Sequence, residues 1–166
     1  MGGSALKAAI VMGSDSDFPI MKPAVDLLKE FGVEVEVTVA SAHRTPDRLR
    51  HFVYGARQSG TDIFIAGAGM AAHLAGVIAS YTTAPVIGVP LNSEPFRGLD
   101  ALLSTVQMPP GIPVATMAVN GAKNAALFAI EIFAVSNQSI KRKLLEYREK
   151  MAAEVERKDQ AIKEKL

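Results

Sequence analysis

Five short apolar runs, each closed by a turn and followed by residues at helical spacing, succeed one another along residues 1–136, and this rhythm constrains the fold more than any single motif. Residues 7–12 (KAAIVM) stop at Gly13, and the Ser-Asp-Ser-Asp of 14–17 offers helix caps. The helix that follows has Pro19 in its first turn and Met21, Val25, Leu28 and Phe31 at helical spacing. Residues 33–40 (VEVEVTVA) alternate strictly, with Val33, Val35, Val37 and Val39 on one side and Glu34, Glu36 and Thr38 on the other, which predicts a half-exposed strand. Thr45 as cap and Pro46 as first helical residue then start a second helix.

Residues 62–66 (DIFIA) predict a third, central strand, ended by Gly67-Ala68-Gly69 and followed by a buried helix over 70–81. A fourth strand over 86–89 leads through a long loop at 90–97 to a helix near 99–106. A fifth over 114–119 leads to a helix over 122–133. Strands alternating with helices imply a three-layer α/β/α domain with a five-stranded parallel sheet, Rossmann-like or flavodoxin-like. Residues 1–136 form this domain. Residues 137–166 are expected to form a helical extension with an apolar stripe of Ile140, Leu144, Tyr147, Met151, Val155, Ile162 and Leu166, packing on its own domain or on a neighbouring subunit.

Charge and composition narrow the function. Residues 1–136 carry 9 Lys/Arg against 11 Asp/Glu, a net of −2, and residues 137–166 carry 9 against 6, a net of +3. The basic residues of the tail alternate with acids, so neither nucleic acid nor a membrane surface is an expected partner. The absence of cysteine excludes a disulfide framework, a thiolate nucleophile and a sulfur-bound metal, and makes the cytoplasm the expected compartment. Residues 1–7 show no leader pattern, and Gly67, Gly69, His73 and Gly76 interrupt the apolar stretch of 63–79, which reads as strand, turn and helix instead of a membrane span.

In a parallel sheet the ligand edge collects the loops that follow strands. Here those loops carry unusual chemistry: residues 13–17, residues 41–47 (Ser-Ala-His-Arg-Thr-Pro-Asp), and Gly67-Ala68-Gly69 leading to His73. The loops that precede strands, 58–61 and 82–85, are plain. His43 supplies an acid/base group and Arg44 a fixed cation. Glycines 13, 67 and 69 allow close backbone approach, and the serine hydroxyls and helix starts suit a phosphate. Asp17 serves as a helix cap or as an acceptor for sugar hydroxyls, and His73 as a core or pocket-facing side chain; His51 is expected to be exposed. No Walker loop, nucleophile elbow or metal-ligand histidine spacing is present, and Gly67-Ala68-Gly69 follows the third strand with no acid about 20 residues on, unlike a dinucleotide fingerprint. No cofactor is therefore expected. What remains is acid/base chemistry on a small phosphorylated ligand.

Four motifs carry a family resemblance: Met-Gly-Ser-Asp-Ser-Asp at 12–17, Ser-Ala-His-Arg-Thr-Pro at 41–46, Ala-Gly-Ala-Gly-Met-Ala-Ala-His-Leu at 66–74 and Val-Gln-Met-Pro-Pro-Gly-Ile-Pro-Val at 106–114. In this order they resemble the bacterial 5-(carboxyamino)imidazole ribonucleotide mutases of purine biosynthesis, the PurE family or phosphoribosylaminoimidazole carboxylase catalytic subunits. The resemblance implies transfer of a carboxyl group from the exocyclic nitrogen to ring carbon 4 without ATP, metal or biotin. It implies His43 as general acid and base, Arg44 with Ser14 and Ser41 on the phosphate, and Asp17 on the ribose. Ser16, Ala68, Gly69, Met70, His73 and Leu74 would enclose the carboxylate or carbon dioxide. It also implies a homo-octamer in which residues 108–113 reach a neighbouring site.

Two positions depart from the family: Met70 replaces a second consecutive glycine and Ala75 a proline. Relatives that carboxylate directly carry Gly-Arg-Ser-Asn in place of Gly-Ala-Gly-Met, which this chain lacks. Direct carboxylation by carbon dioxide and a non-catalytic flavodoxin-like nucleotide or flavin-binding domain are the alternative readings.

Overall fold

The computed structural model describes residues 5–166. The reading of residues 1–7 as free of a leader falls largely on residues 1–4, outside that range. By its internal packing the chain divides into two compact units, Met1–Ala129 and Ile130–Leu166.

The first unit holds β1 (Lys7–Met12), β2 (Glu34–Val39), β3 (Ile63–Gly69), β4 (Val86–Leu91) and β5 (Ala115–Thr116) in one five-stranded sheet of order β2-β1-β3-β4-β5. Every pairing is parallel. A 3-10 turn (Asp15–Asp17) leads into α1 (Phe18–Glu30); α2 (Pro46–Gln58), α3 (Leu74–Tyr81), α4 (Leu99–Val106) and α5 (Ala122–Ala134) follow their strands in turn. Alternation along the strands divides the core. Ala9, Val11, Phe64 and Ala66 face Leu49 and Val53 of α2 and Leu74, Ala75 and Ile78 of α3. Ile10, Met12, Ile63 and Ile65 belong to the opposite face, where Met21 of α1 lies over Gly67. Each fully buried aliphatic side chain contributes about 1.5–3 kcal/mol, so this double-sided strand pair is the energetic centre of the unit.

The predicted elements form, with four differences. β3 runs on through Gly67-Ala68-Gly69 instead of ending before it, because β4 is also longer and pairs Val89, Pro90 and Leu91 with those residues. α3 begins only at Leu74, since Met70 turns the backbone into the left-handed region at φ 56°. β5 shrinks to two residues; beyond it the chain touches β4 only at intervals, through Met117 N–H to Gly88 O and Asn120 N–H to Pro90 O. The valine face of β2 is less covered than its alternation implies, with Val37 and Val39 each 39% exposed, because β2 is an edge strand.

In the second unit Asn137 caps α6 (Gln138–Lys163), its Oδ1 accepting the Ile140 N–H at 3.0 Å. Arg148 pairs with Glu131 at 2.5 Å. Of the stripe foreseen on this helix Ile140 is buried, while Met151, Val155, Ile162 and Leu166 are exposed. Among the described residues no helix is long and apolar enough to cross a membrane.

α4 lies close over β4 because Gly88 has no side chain. A Cβ there would fall on Thr105 Cγ2 and 3.1 Å from Val114 Cγ1. Gly88→Ala is therefore expected to lower the unfolding free energy by about 1–3 kcal/mol in urea titrations, as overpacking does. Adding Thr105→Ala should recover part of the loss. An unchanged urea midpoint in Gly88→Ala alone would contradict the close packing.

Candidate active site

The carboxyl ends of β1, β2, β3 and β4 open on one cleft of about 710 Å³. Three of its walls are the loops singled out from the sequence. Ser14, Ser16 and Asp17 come from the turn after β1, Ser41, His43 and Arg44 from the loop after β2, and Ala68, Gly69, Met70 and Leu74 from the end of β3 and the start of α3. The fourth wall, Leu91, Asn92 and Ser93, was assigned no role from the sequence. Its position directly after a strand is the same signal that marked the other three. Gly13, Ile20, Ala42 and Ala71 complete the lining.

Local chemistry fixes each wall. In the first, Ser14 caps the 3-10 turn, with its Oγ accepting the Ser16 N–H at 3.4 Å while Asp17 Oδ2 accepts the Ser14 N–H at 3.0 Å. This is a capping box, so Asp17 supports the helix start through its carboxylate and lines the cleft as well. Ser16 Oγ donates to Ser14 Oγ at 2.8 Å, and Ser14 Oγ to Asp15 at 3.1 Å. In the second wall Thr45 Oγ1 accepts the Ser41 N–H at 2.9 Å and donates to Ser41 O at 3.2 Å, closing the loop into a compact turn before α2. Thr45 occupies the N-cap position, yet its hydroxyl is used on Ser41 and caps no helical N–H.

Arg44 ties these two walls together. Its Nη2 donates to Gly13 O at 2.8 Å and its Nε to Ser41 Oγ at 3.4 Å. A guanidinium oriented in this way leaves donors for an anion and needs little reorganisation to receive one. Asp17 is the acidic member of the cleft. Burial pushes its carboxyl above the usual range, opposed by the N–H groups of Ser14 and Gly13 and by the Arg44 charge.

His43 Nε2 lies 2.8 Å from His73 Nδ1, with the rings edge-on at 5.0 Å between centroids. One ring must donate and the other accept, so the pair holds a proton between its facing nitrogens. His73 stands at the position just before α3 instead of within it, and it meets the cleft through His43 and is not itself a lining residue. His51 is exposed on α2, as expected, its Nδ1 on the Asp47 carbonyl at 2.7 Å.

Met70 carries the greatest backbone strain in the site. Its left-handed conformation costs an L-residue about 1–2 kcal/mol. Its N–H donates to Ser93 Oγ at 3.2 Å, and such a bond contributes a net of about 0.5–1.5 kcal/mol, so the fourth wall offsets part of the strain in the third. Glycine would adopt this turn without penalty, which gives a physical reason for the glycine expected at this position.

An open parallel sheet whose strand ends gather an imidazole pair, an arginine, a carboxylate and four serines is the framework of an enzyme acting on a small anionic molecule. The sequence profile of the family described as AIR carboxylase matches residues 7–154, and the chain belongs to this family. It is 57% identical over 145 residues to the N5-carboxyaminoimidazole ribonucleotide mutase of Pyrococcus abyssi, with 87% of this chain and 83% of that one covered. It is 56% identical over 155 residues to the Methanocaldococcus jannaschii protein of the same name, covering 93% and 96%. The crystal structure of Treponema denticola PurE superposes with a TM-score of 0.83 at 29% identity, covering 93% of this chain and 96% of that one.

Two outcomes are expected. Met70→Gly should raise the unfolding free energy by roughly 1 kcal/mol in chemical denaturation, and a loss of stability would contradict the strain. Asp17, whose carboxyl is raised in the folded chain, contributes stability that is fully present below its unfolded value and lost as pH rises through its folded one. The stability of the wild type relative to Asp17→Asn should therefore fall as pH climbs out of the ordinary carboxylate range. A flat or rising difference would contradict the assignment.

Proposed function

We propose that this chain catalyses the N5-carboxyaminoimidazole ribonucleotide mutase reaction of purine biosynthesis, an isomerisation that yields the 4-carboxy-5-aminoimidazole ribonucleotide. The observation that carries the reading is the single cleft that joins His43, Arg44 and Asp17 in a chain 57% identical to a relative of that name. The Gly-Ala-Gly-Met at 67–70, without the Arg-Ser of direct carboxylases, favours the mutase over direct carboxylation.

Each step finds a group suited to it. The bond between the exocyclic nitrogen and the carboxyl carbon breaks, carbon dioxide departs and His43 delivers a proton to the nitrogen. The electron pair of ring carbon 4 then attacks the carbon dioxide, and the proton displaced from that carbon passes to His43, so the imidazole ends as it began. Arg44, with Ser14 and Ser41, binds the phosphate, and Asp17 accepts from the ribose hydroxyls. Ser16, Ala68, Gly69, Met70 and Leu74 hold the carboxyl group, with fixed donors keeping the carbon dioxide in place, and His73, which does not line the cleft, acts through the 2.8 Å contact of its ring with His43.

The same reading extends to assembly. Residues 1–136 act as the catalytic domain, residues 137–166 pack on their own or a neighbouring subunit, and residues 108–113 reach a neighbouring site in a homo-octamer. Purified protein given the nitrogen-carboxylated ribonucleotide, with no added cofactor, should form the carbon-carboxylated isomer. Aminoimidazole ribonucleotide with bicarbonate should support far less flux; comparable flux would favour direct carboxylation. His43→Asn should fold and bind the ribonucleotide but lose about 10²–10⁴-fold in kcat, and near-normal turnover would remove His43 from the mechanism.

A further inference from the structure

We propose that Met70 is a site of oxidative modification, and that its sulfoxide weakens binding of the anionic substrate. The inference starts from accessibility. Met70 is 62% exposed and lines the cleft. Among the other described methionines, Met12 and Met21 are buried, Met108 and Met117 are half-buried, and Met151 is 51% exposed on α6 and is not one of the residues lining the cleft. Solvent access sets which thioethers a dissolved oxidant attacks, so among the described residues Met70 and Met151 are the two reactive ones and Met70 is the one with a consequence.

The backbone keeps Met70 at the cleft. Its left-handed turn is fastened by the N–H bond to Ser93 Oγ at 3.2 Å, so the side chain starts from a fixed point on the rim. A thioether there is apolar and uncharged and leaves the field of Arg44 to the substrate. Hydrogen peroxide, a two-electron oxidant, converts it. The sulfur lone pair attacks one peroxide oxygen, the O–O bond breaks, an S–O bond forms, and the departing oxygen takes both hydrogens as water. The sulfoxide oxygen carries partial negative charge and accepts hydrogen bonds strongly. At the rim it competes for the donors of Arg44 and the serines and opposes an incoming carboxylate or phosphate. Glycine at this position would offer nothing to oxidise, so the sensitivity is particular to a chain with methionine here.

The effect on turnover rests on the mutase reading; the oxidation itself does not. The test treats the full-length protein with hydrogen peroxide, maps its peptides by mass spectrometry and assays the isomerisation before and after. Met70 and Met151 should each gain the mass of one oxygen well before Met12 and Met21. KM should rise about tenfold in step with Met70 oxidation, the weight of one opposed charge-assisted hydrogen bond. Methionine sulfoxide reductases should reverse the change. Met70→Leu, whatever its own activity, should show the same KM before and after peroxide, while Met151→Leu should respond as the wild type does. The proposal is overturned if Met70 stays unoxidised while Met151 reacts, or if Met70→Leu loses affinity on treatment as the wild type does. If the chain does not isomerise the ribonucleotide at all, the functional reading fails, and the peptide map still decides whether Met70 is modified.

Discussion

The register of β3 between β1 and β4 governs everything at the cleft. Met12 lies level with Gly67, Gly67 with Val89, and Gly69 with Leu91, so three strands finish close together and their loops open on one edge. A slip of one residue would send Phe64 and Ala66 to the wrong helical layer and lift the third wall away from the first. The glycines at the end of β3 belong to the same constraint. A Cβ on Gly67 would lie 2.6 Å from Met21 Sδ, and one on Gly69 would lie 3.3 Å from Leu91 O, so a side chain at either position would crowd α1 or the end of β4.

On that edge two side chains both line the cleft and fasten its walls. Asp17 closes a capping box, and Arg44 holds the Gly13 carbonyl across from its own loop. Their hydrogen bonds within the protein set the direction in which their remaining capacity points. Among the described residues the cleft is lined by one fixed cation and one carboxylate beside its serines, a balance suited to a molecule with an anionic end and neutral hydroxyls, and less to a polyanion.

Most of the fold was legible because burial imposes periodicity. The apolar DIFIA run announced a strand covered on both faces, and Leu99 and Val106 bound a helix where the spacing placed it. Two of the differences arise where glycine and methionine mislead. Gly67-Ala68-Gly69 has the composition of a turn, yet the partner strand extends alongside and keeps it in the sheet. Methionine at 70 gives no sign of a left-handed turn, since that conformation is disfavoured for its side chain and is maintained by a hydroxyl 23 residues away. The contact between His43 and His73 spans 30 residues, and no local pattern encodes it. Asn92 and Ser93 carry no local signal because their side chains are common in loops; only their place after β4 distinguishes them.

Among the described residues, none beyond Ser93 lines the cleft, although β5, α5 and α6 all follow it. Within one copy, residues 13–93 alone line the cleft. Later residues can therefore drift, lengthen or carry a fused partner under rules set by folding and assembly, with the ligand contacts of that copy left unaltered. Within one copy, selection on the two stretches should be uneven in kind: chemical up to Ser93, mechanical beyond it.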